Sequence, residues 1–410
     1  MKNFLTLDDL TAGGKTVLLR ADLNVPMKDG DVTDATRITR LVPTIKELTA
    51  AGAKVVILSH FGRPRGKDPA LTLRPIAKAL SKAYGAEVAF ADDCVGAIAE
   101  DAVKNLPQGG VLLLENVRFY PEEEKNDAAF AAELARLGDT YVNDAFSCAH
   151  RAHASTEALA RLLPAYAGRL MEAELTALET ALEKPQHPVV AIVGGAKIST
   201  KLDLLNNLVQ KIDILVLGGG MANTFLAALE HPVGKSLCEH DMKEQARTIM
   251  KTADENACRI MLPVDAQTAT RFQANVATEV RAVDDLRDDD MMLDIGPESV
   301  ALVETMLGKA RTVLWNGPVG AFETPPFEQG TVKLAKAVAR LTETGQLISV
   351  AGGGDTVAAL ALAGVEDKMT YVSTAGGAFL EWLEGKTLPG VQILFDRAAV
   401  LRGAKAAASA

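Results

Sequence analysis

The four cysteines, Cys94, Cys148, Cys238 and Cys258, form no Cys-x-x-Cys pair, which argues against a zinc ribbon or a disulfide framework and for reduced thiols in a cytoplasm. The N-terminus lacks a basic stretch followed by an apolar core, and no apolar run approaches the ~20 residues that span a bilayer. Neither secretion nor a membrane partner is expected. Positive charge is also in deficit: 43 Lys and Arg against 53 Asp and Glu leave a net charge of −10. Such a chain repels nucleic acid and anionic lipid unless its cations are concentrated locally. Familiar phosphate loops are missing too. Asn223 stands in the third glycine's place after Gly218-x-Gly220, and Val357 does so after Gly352-x-Gly354, so no dinucleotide fingerprint is complete and a dehydrogenase is disfavoured. Gly13-Gly14-Lys15-Thr16 ends like a Walker A loop, but Asp9 takes the first glycine's position and the segment precedes a strand.

What is present is length and alternation. At 410 residues, 48% of them apolar, the chain has material for two cores rather than one. Short runs rich in Val, Leu and Ile predict strands at Lys15–Arg20, Ala53–His60, Gly110–Glu115 and Asp139–Asn143, separated by helical patterns such as Ala35–Ala51 and Asp127–Leu137. The pattern resumes at Pro188–Val193, Ile212–Leu217, Arg259–Pro263, Met291–Ile295, Arg311–Trp315 and Gln346–Ala351. Apolar strands joined by helical crossovers imply parallel sheets covered on both faces. The fold class is therefore α/β: two doubly wound, Rossmann-like lobes with an active site in the cleft between them. Arg169–Lys184 reads as one helix ended by Pro185, either a connector between the lobes or one more crossover. The expected boundaries are 1–168 for the first lobe, 169–184 for the connector, 185–385 for the second lobe, and 386–410 for a segment returning to the first lobe plus a tail.

Ligands of open α/β sheets bind beyond the C-terminal ends of the strands. In the first half those ends carry Asp22 and Asn24, then His60 and Arg63, then Arg118, then Arg151, with Arg37 on the first helix. Arginine's planar fork grips carboxylate and phosphate oxygens in pairs and stays charged when partly desolvated. Arg37, Arg63, Arg118, Arg151 and His60 suit a ligand with one phosphate and one carboxyl group, and Asp22 and Asn24 suit its hydroxyl. A single arginine of this kind usually makes only a surface ion pair; their repetition at successive strand ends favours a site. His150-x-x-His153 lacks the further ligands of a zinc motif and reads as packing or interface. The second half offers Gly194-Gly195-Ala196-Lys197, Gly218-Gly219-Gly220 and Gly352-Gly353-Gly354-Asp355-Thr356 after strands, where backbone amides and a helix N-terminus can wrap phosphates. With Lys197, Lys201 and the acidic Asp355 they favour a nucleotide with magnesium.

Arg20-Ala21-Asp22-Leu23-Asn24-Val25-Pro26, Ser59-His60-Phe61-Gly62-Arg63-Pro64, Leu114-Glu115-Asn116-Val117-Arg118-Phe119, Glu122 to Asp127, Asn143-Asp144-Ala145-Phe146 with His150-Arg151-Ala152-His153, Gly194 to Lys197, Trp315-Asn316-Gly317-Pro318-Val319-Gly320 and Gly352 to Thr356 follow one another in the order found in phosphoglycerate kinases, and the chain resembles that family from about Phe4 to about Asp396. The resemblance implies a monomeric glycolytic enzyme that moves a phosphoryl group between 1,3-bisphosphoglycerate and ADP, giving 3-phosphoglycerate and ATP. It implies Asp22, Asn24, Arg37, His60, Arg63, Arg118 and Arg151 as acid-substrate contacts. It implies Gly194, Ala196, Lys197, Lys201, Asn316, Glu323, Gly352, Gly353, Gly354, Asp355 and Thr356 as nucleotide contacts, with Asp355 on Mg2+. Arg37, Lys201, Gly353 and Gly376 are implied at the transferring phosphoryl. The alternatives are another nucleotide-dependent carboxylate kinase and a non-catalytic nucleotide-binding protein. The chain departs from the family in reading Ser373-Thr374-Ala375-Gly376-Gly377, where Ala375 replaces a glycine and would be strained at positive φ. The alanine-rich 397–410 tail reads as a frayed helix or a disordered end without function.

Overall fold

Six of the short apolar runs and edges assemble into a parallel sheet around Thr16–Arg20, in a computed structural model that describes residues 2–408. Its spatial order is Ala89–Ala91, Val111–Leu114, Lys54–Leu58, Thr16–Arg20, Thr140–Asn143, Ala165–Ala167. Val17, Leu18 and Leu19 are all buried, so both faces of the central strand are covered, as a run without polar alternation requires. The helix Thr36–Ala50 buries Ile38, Leu41, Ile45 and Leu48, spaced three and four apart, against Val17, Leu19, Val55 and Ile57. That packing fixes Arg37 in the helix's first turn. These elements belong to one compact unit, Met1–Leu175 with Thr387–Ala410; Thr176–Lys386 forms the other.

The second unit's parallel sheet runs Arg259–Met261, Ile214–Leu217, Val189–Val193, Thr312–Asn316, Ile348–Gly352, Tyr371–Ser373. Numbered along the unit, this is the 3-2-1-4-5-6 order of doubly wound nucleotide-binding sheets, whose crevice opens where the order reverses, here between Val189–Val193 and Thr312–Asn316. Its core gathers Ile192, Trp315, Leu334, Val338 and Leu360.

Three expectations need correction. Met291–Ile295 is a strand but not a parallel one: it pairs antiparallel with Asp265–Ala269, which pairs antiparallel with Glu279–Ala282, and the register slips between Gln267 and Thr268. Periodicity reports extension, not direction. The stretch Arg169–Lys184 is helical throughout but changes pitch, α over Arg169–Leu178 and π over Glu179–Glu183. Asp144 caps its start, accepting from the amides of Leu170 (2.8 Å) and Met171 (3.0 Å), and burial pushes the Asp144 carboxyl up to about 6. The tail is no frayed end from Arg397 onward: one helix runs Pro389–Ala408, with Ala398 in the first unit's core and Arg402 donating to the Phe4 carbonyl at 3.3 Å. Residues 409–410 lie outside the described part. No helix among the described residues is long and apolar enough to cross a membrane.

Ile45 is fully buried beneath the helix that carries Arg37. Ile45→Ala should cost about 2–5 kcal/mol of stability in urea denaturation; a loss below about 1 kcal/mol would mean the helix is held by something other than this core.

Candidate active site

In the first unit the loops leaving the central strands are stitched to one another by buried hydrogen bonds. Ser59 Oγ donates to the Ala21 carbonyl (2.9 Å) and accepts from the Leu23 amide (3.0 Å). Asn116 Nδ2 donates to the carbonyls of Phe61 (2.8 Å) and Leu71 (2.9 Å), while its Oδ1 accepts from the amides of Phe61 and Arg118. Neither residue was singled out as a site residue from sequence. Their short polar side chains in apolar strand ends were the available signal.

This scaffold brings several predicted residues into direct contact. Arg37 Nη1 donates to Asp22 Oδ2 (2.7 Å) and to the Asn24 carbonyl (2.9 Å), Asn24 Oδ1 accepts from the Gly62 amide (3.0 Å), and Arg118 Nη1 donates to the Gly62 carbonyl (2.9 Å). Ser147 Oγ also donates to Asp22 Oδ2. Arg63 and Arg151 are exposed and make no ion pair among the described residues; Arg151 acts on His153 through its charge. Among the described residues no hydrogen bond or ion pair joins Arg63 to the group.

The electrostatics are one-sided. Burial, then Arg20, Arg118, His153 and Arg37, hold His60 well below the usual histidine range. Burial, then Arg118, Arg20 and Arg151, bring His153 down to about 4. Burial and Arg20 also lower Arg118, against the pull of Glu124. Burial first, and the arginines around them second, disfavour the charged form of both histidines. Asp22, His60 and Cys148 offer ligand atoms within 4.8 Å of one another, but a metal cation there would face Arg20, Arg37 and Arg118. The place is suited to an anion.

The second unit's candidate site is built of backbone. A Cβ on Gly194 would lie 1.8 Å from the Pro318 carbonyl oxygen, so glycine is required there by the close approach of two strand ends. Lys201 Nζ sits at that reversal point, donating to the Gly194 carbonyl (2.7 Å), Asn316 Oδ1 (2.6 Å) and the Asn316 carbonyl (3.2 Å). Burial brings its ammonium down to about 8, with Asp355 pulling the other way. Asn316 Nδ2 donates to the Gly352 carbonyl (2.9 Å), and Thr356 Oγ1 donates to the same oxygen (2.8 Å) while accepting from the Gly317 amide (2.7 Å). Beyond this network the helix Gly354–Ala363 begins with no side-chain cap, leaving its first amides and positive dipole end available to an anion. Gly353 has φ 98°, while Gly354 has open space around its absent Cβ.

Lys197, Ala196, Glu323 and Asp355 are exposed, and no ion pair among the described residues engages the three charged ones. Gly376 opens the short helix Gly377–Leu383 at φ 56°. Ala375 is not among the residues at positive φ, so the strain considered for it does not arise; the left-handed turn falls on Gly376.

A family model described as phosphoglycerate kinase matches residues 7–386. Phosphoglycerate kinase of Xanthobacter flavus is 61% identical over 392 residues, covering 95% of this chain and 99% of that protein, and that of Allorhizobium ampelinum is 62% identical over 396 residues, covering 96% and 99%. Among solved structures, phosphoglycerate kinase from Coxiella burnetii is similar with a TM-score of 0.91 at 43% identity, covering 96% of this chain and all of that one. The enzyme from Pyrococcus horikoshii gives a TM-score of 0.78 at 32% identity with the same coverage.

The two glycines Gly194 and Gly354 separate packing from binding. Gly194→Ala should lower stability by about 1–3 kcal/mol through overpacking, whereas Gly354→Ala should change it by less than about 0.5 kcal/mol. Equal losses in denaturant titration would contradict this division.

Proposed function

The chain belongs to the phosphoglycerate kinase family, and we propose that the two anion-binding chemistries of its two units are divided between its two substrates. It is a phosphotransferase with a carboxyl group as acceptor, interconverting 1,3-bisphosphoglycerate and ADP with 3-phosphoglycerate and ATP in glycolysis. In this reading the first unit takes the acid through Asp22, Asn24, Arg37, His60, Arg63, Arg118 and Arg151. The second takes ADP or ATP through Gly194, Ala196, Lys197, Lys201, Asn316, Glu323 and the Gly352 to Thr356 loop. The observation that carries it is the gathering of Arg20, Arg37 and Arg118 around His60, with Arg63 and Arg151 exposed and in no ion pair among the described residues, a cationic surplus that suits a multiply anionic ligand.

Magnesium takes hard oxygen ligands and is usually held by one or two carboxylates together with substrate phosphates. Asp355, exposed in the first turn of Gly354–Ala363 and without an ion pair among the described residues, fits that role. Asp355 would hold such an ion with the nucleotide, and what it would supply there is neutralisation of the phosphate oxygens. The rest falls to the chain's own groups. A substrate carboxylate is already ionised at neutral pH, so no side chain has to remove a proton. Arg37, Lys201 and the amides at Gly353 and Gly376 orient the phosphoryl group and offset its charge during a loose transfer. With acceptor and donor on separate units, the step needs a closed state in which both lie in line and water is excluded. The reading also takes the enzyme as a cytoplasmic monomer without nucleic-acid or membrane partners, in keeping with its net charge of −10.

A coupled assay of ATP formation from ADP and 1,3-bisphosphoglycerate tests the whole reading. In it, Arg37→Ala should lower kcat about 100-fold or more while leaving nucleotide affinity unchanged; unchanged kcat with only a raised KM for the acid would contradict the transition-state role. Lys201 makes a second prediction. Its free-enzyme value near 8 means the cation is lost as pH rises through that point, so ADP affinity should fall over the same range. Lys201→Met should abolish the dependence, and a flat wild-type profile in calorimetry would refute the assignment.

A further inference from the structure

Behind His60 lies a chain of buried polar groups that phosphoryl transfer itself does not use. Glu123 is fully buried, and its carboxylate accepts the Ser155 amide (2.8 Å) and the Ser155 hydroxyl (2.6 Å). With its one proton given to Glu123, Ser155 Oγ can only accept from Arg20 Nε, at 2.8 Å. Arg20, almost wholly buried, donates Nη1 to the Ala21 carbonyl and points Nη2 at His60 Nδ1, 3.2 Å away. A guanidinium nitrogen never accepts, so Nδ1 must be the bare nitrogen and the ring's proton must sit on Nε2.

We propose that Arg20, balanced by Glu123 through Ser155, is a positioning residue that locks His60 in the neutral Nε2–H tautomer, so that His60 meets the acid substrate as a directional donor rather than as a cation. The inference rests on the reading of the first unit as the acid site. The cations facing His60 are consistent with it. Arg20, Arg118, Arg37 and His153 all oppose a second proton on the ring; Asp22, within 4.8 Å, favours it, but its carboxylate is turned to Arg37 and Ser147. The Cys148 thiol, 3.9 Å from Nδ1, is held in its neutral form by burial and by Asp22. The lock separates two tasks at one site. Arginines supply charge, which attracts any anion, while a fixed N–H selects an oxygen in one place.

Two-bond 1H–15N correlation spectra of the wild-type chain with 15N-labelled histidine read the ring's protonation directly. From about pH 6 to about pH 8 His60 should stay in the neutral Nε2–H form; an imidazolium or an Nδ1–H tautomer in that range would overturn the proposal. Arg20→Lys removes the donor to Nδ1 while keeping a positive charge. It should give a mixture of tautomers and raise the KM for 3-phosphoglycerate roughly fivefold, the loss of about one hydrogen bond, with kcat little changed. An unaltered tautomer in that variant would also overturn it. If Arg20→Lys does not fold, Ser155→Ala should produce the same spectral change in part, and no change would count against the lock. A wild-type chain with the expected tautomer but no response of His60 to 3-phosphoglycerate would refute the acid-site reading and leave the tautomer lock standing.

Discussion

Like charges brought together out of water must be balanced, and the first unit sets a carboxylate against each of Arg20, Arg37 and Arg118 while leaving Arg63 and Arg151 without an ion-pair partner among the described residues. Two unit charges ~4 Å apart repel by about 4 kcal/mol at the effective dielectric of a partly buried site. Burial first, and then the charges of Arg20, Arg37 and Arg118, disfavour a second proton on His60, and burial with Arg118 and Arg20 does the same at His153. Of the nearby carboxylates, Glu123 is committed to Arg20 through Ser155, Asp22 is shared between Arg37 and Ser147, and Glu124 pairs with Arg118 at 3.3 Å. On the proposed reading, a phosphate or carboxylate of the acid balances the arginines that the carboxylates leave unpaired, Arg63 and Arg151.

The second unit meets its ligand under the opposite constraint. It places one desolvated lysine at the reversal of its sheet and otherwise offers backbone. The close approach of strand ends at Gly194 and Pro318 leaves no room for side chains, and the network of Asn316, Gly352 and Thr356 holds the uncapped start of Gly354–Ala363 in place. Amides neither titrate nor carry net charge, so they can line a polyphosphate site without the mutual repulsion of the first unit. Burial brings Lys201 down to about 8, with Asp355 opposing, while the carbonyls of Gly194 and Asn316 and the Asn316 amide oxygen hold its ammonium in place.

Much of this was legible because strand ends can be read from apolar runs. Thr16–Arg20, Lys54–Leu58 and Val189–Val193 fall within the stretches expected, and the polar residues that follow them come out where an α/β sheet opens. The three-residue strands Ala89–Ala91, Ala165–Ala167 and Tyr371–Ser373 were not legible, since each lies at a sheet edge and is too short for a period to show. The direction of Met291–Ile295 was hidden for a different reason: direction is set by the strand it pairs with, Asp265–Ala269, and an apolar run does not name its partner. Ser59, Asn116 and Ser155 were invisible as scaffold because their importance lies in what they bond across the fold. Ala375 looked strained because a glycine's absence was noticed, but the need for positive φ falls one residue later.

The central claim is that acid and nucleotide are received by different units through different chemistry. Amide and side-chain NMR of the labelled chain, titrated with each ligand alone, measures this most directly. With 3-phosphoglycerate the shifts should concentrate on His60, Arg118 and the loop of Asp22 to Asn24; with magnesium ADP they should concentrate on Gly195, Lys201 and Gly353 to Thr356. Magnesium ADP perturbing the arginine group, or 3-phosphoglycerate perturbing the glycine turns, would contradict the account.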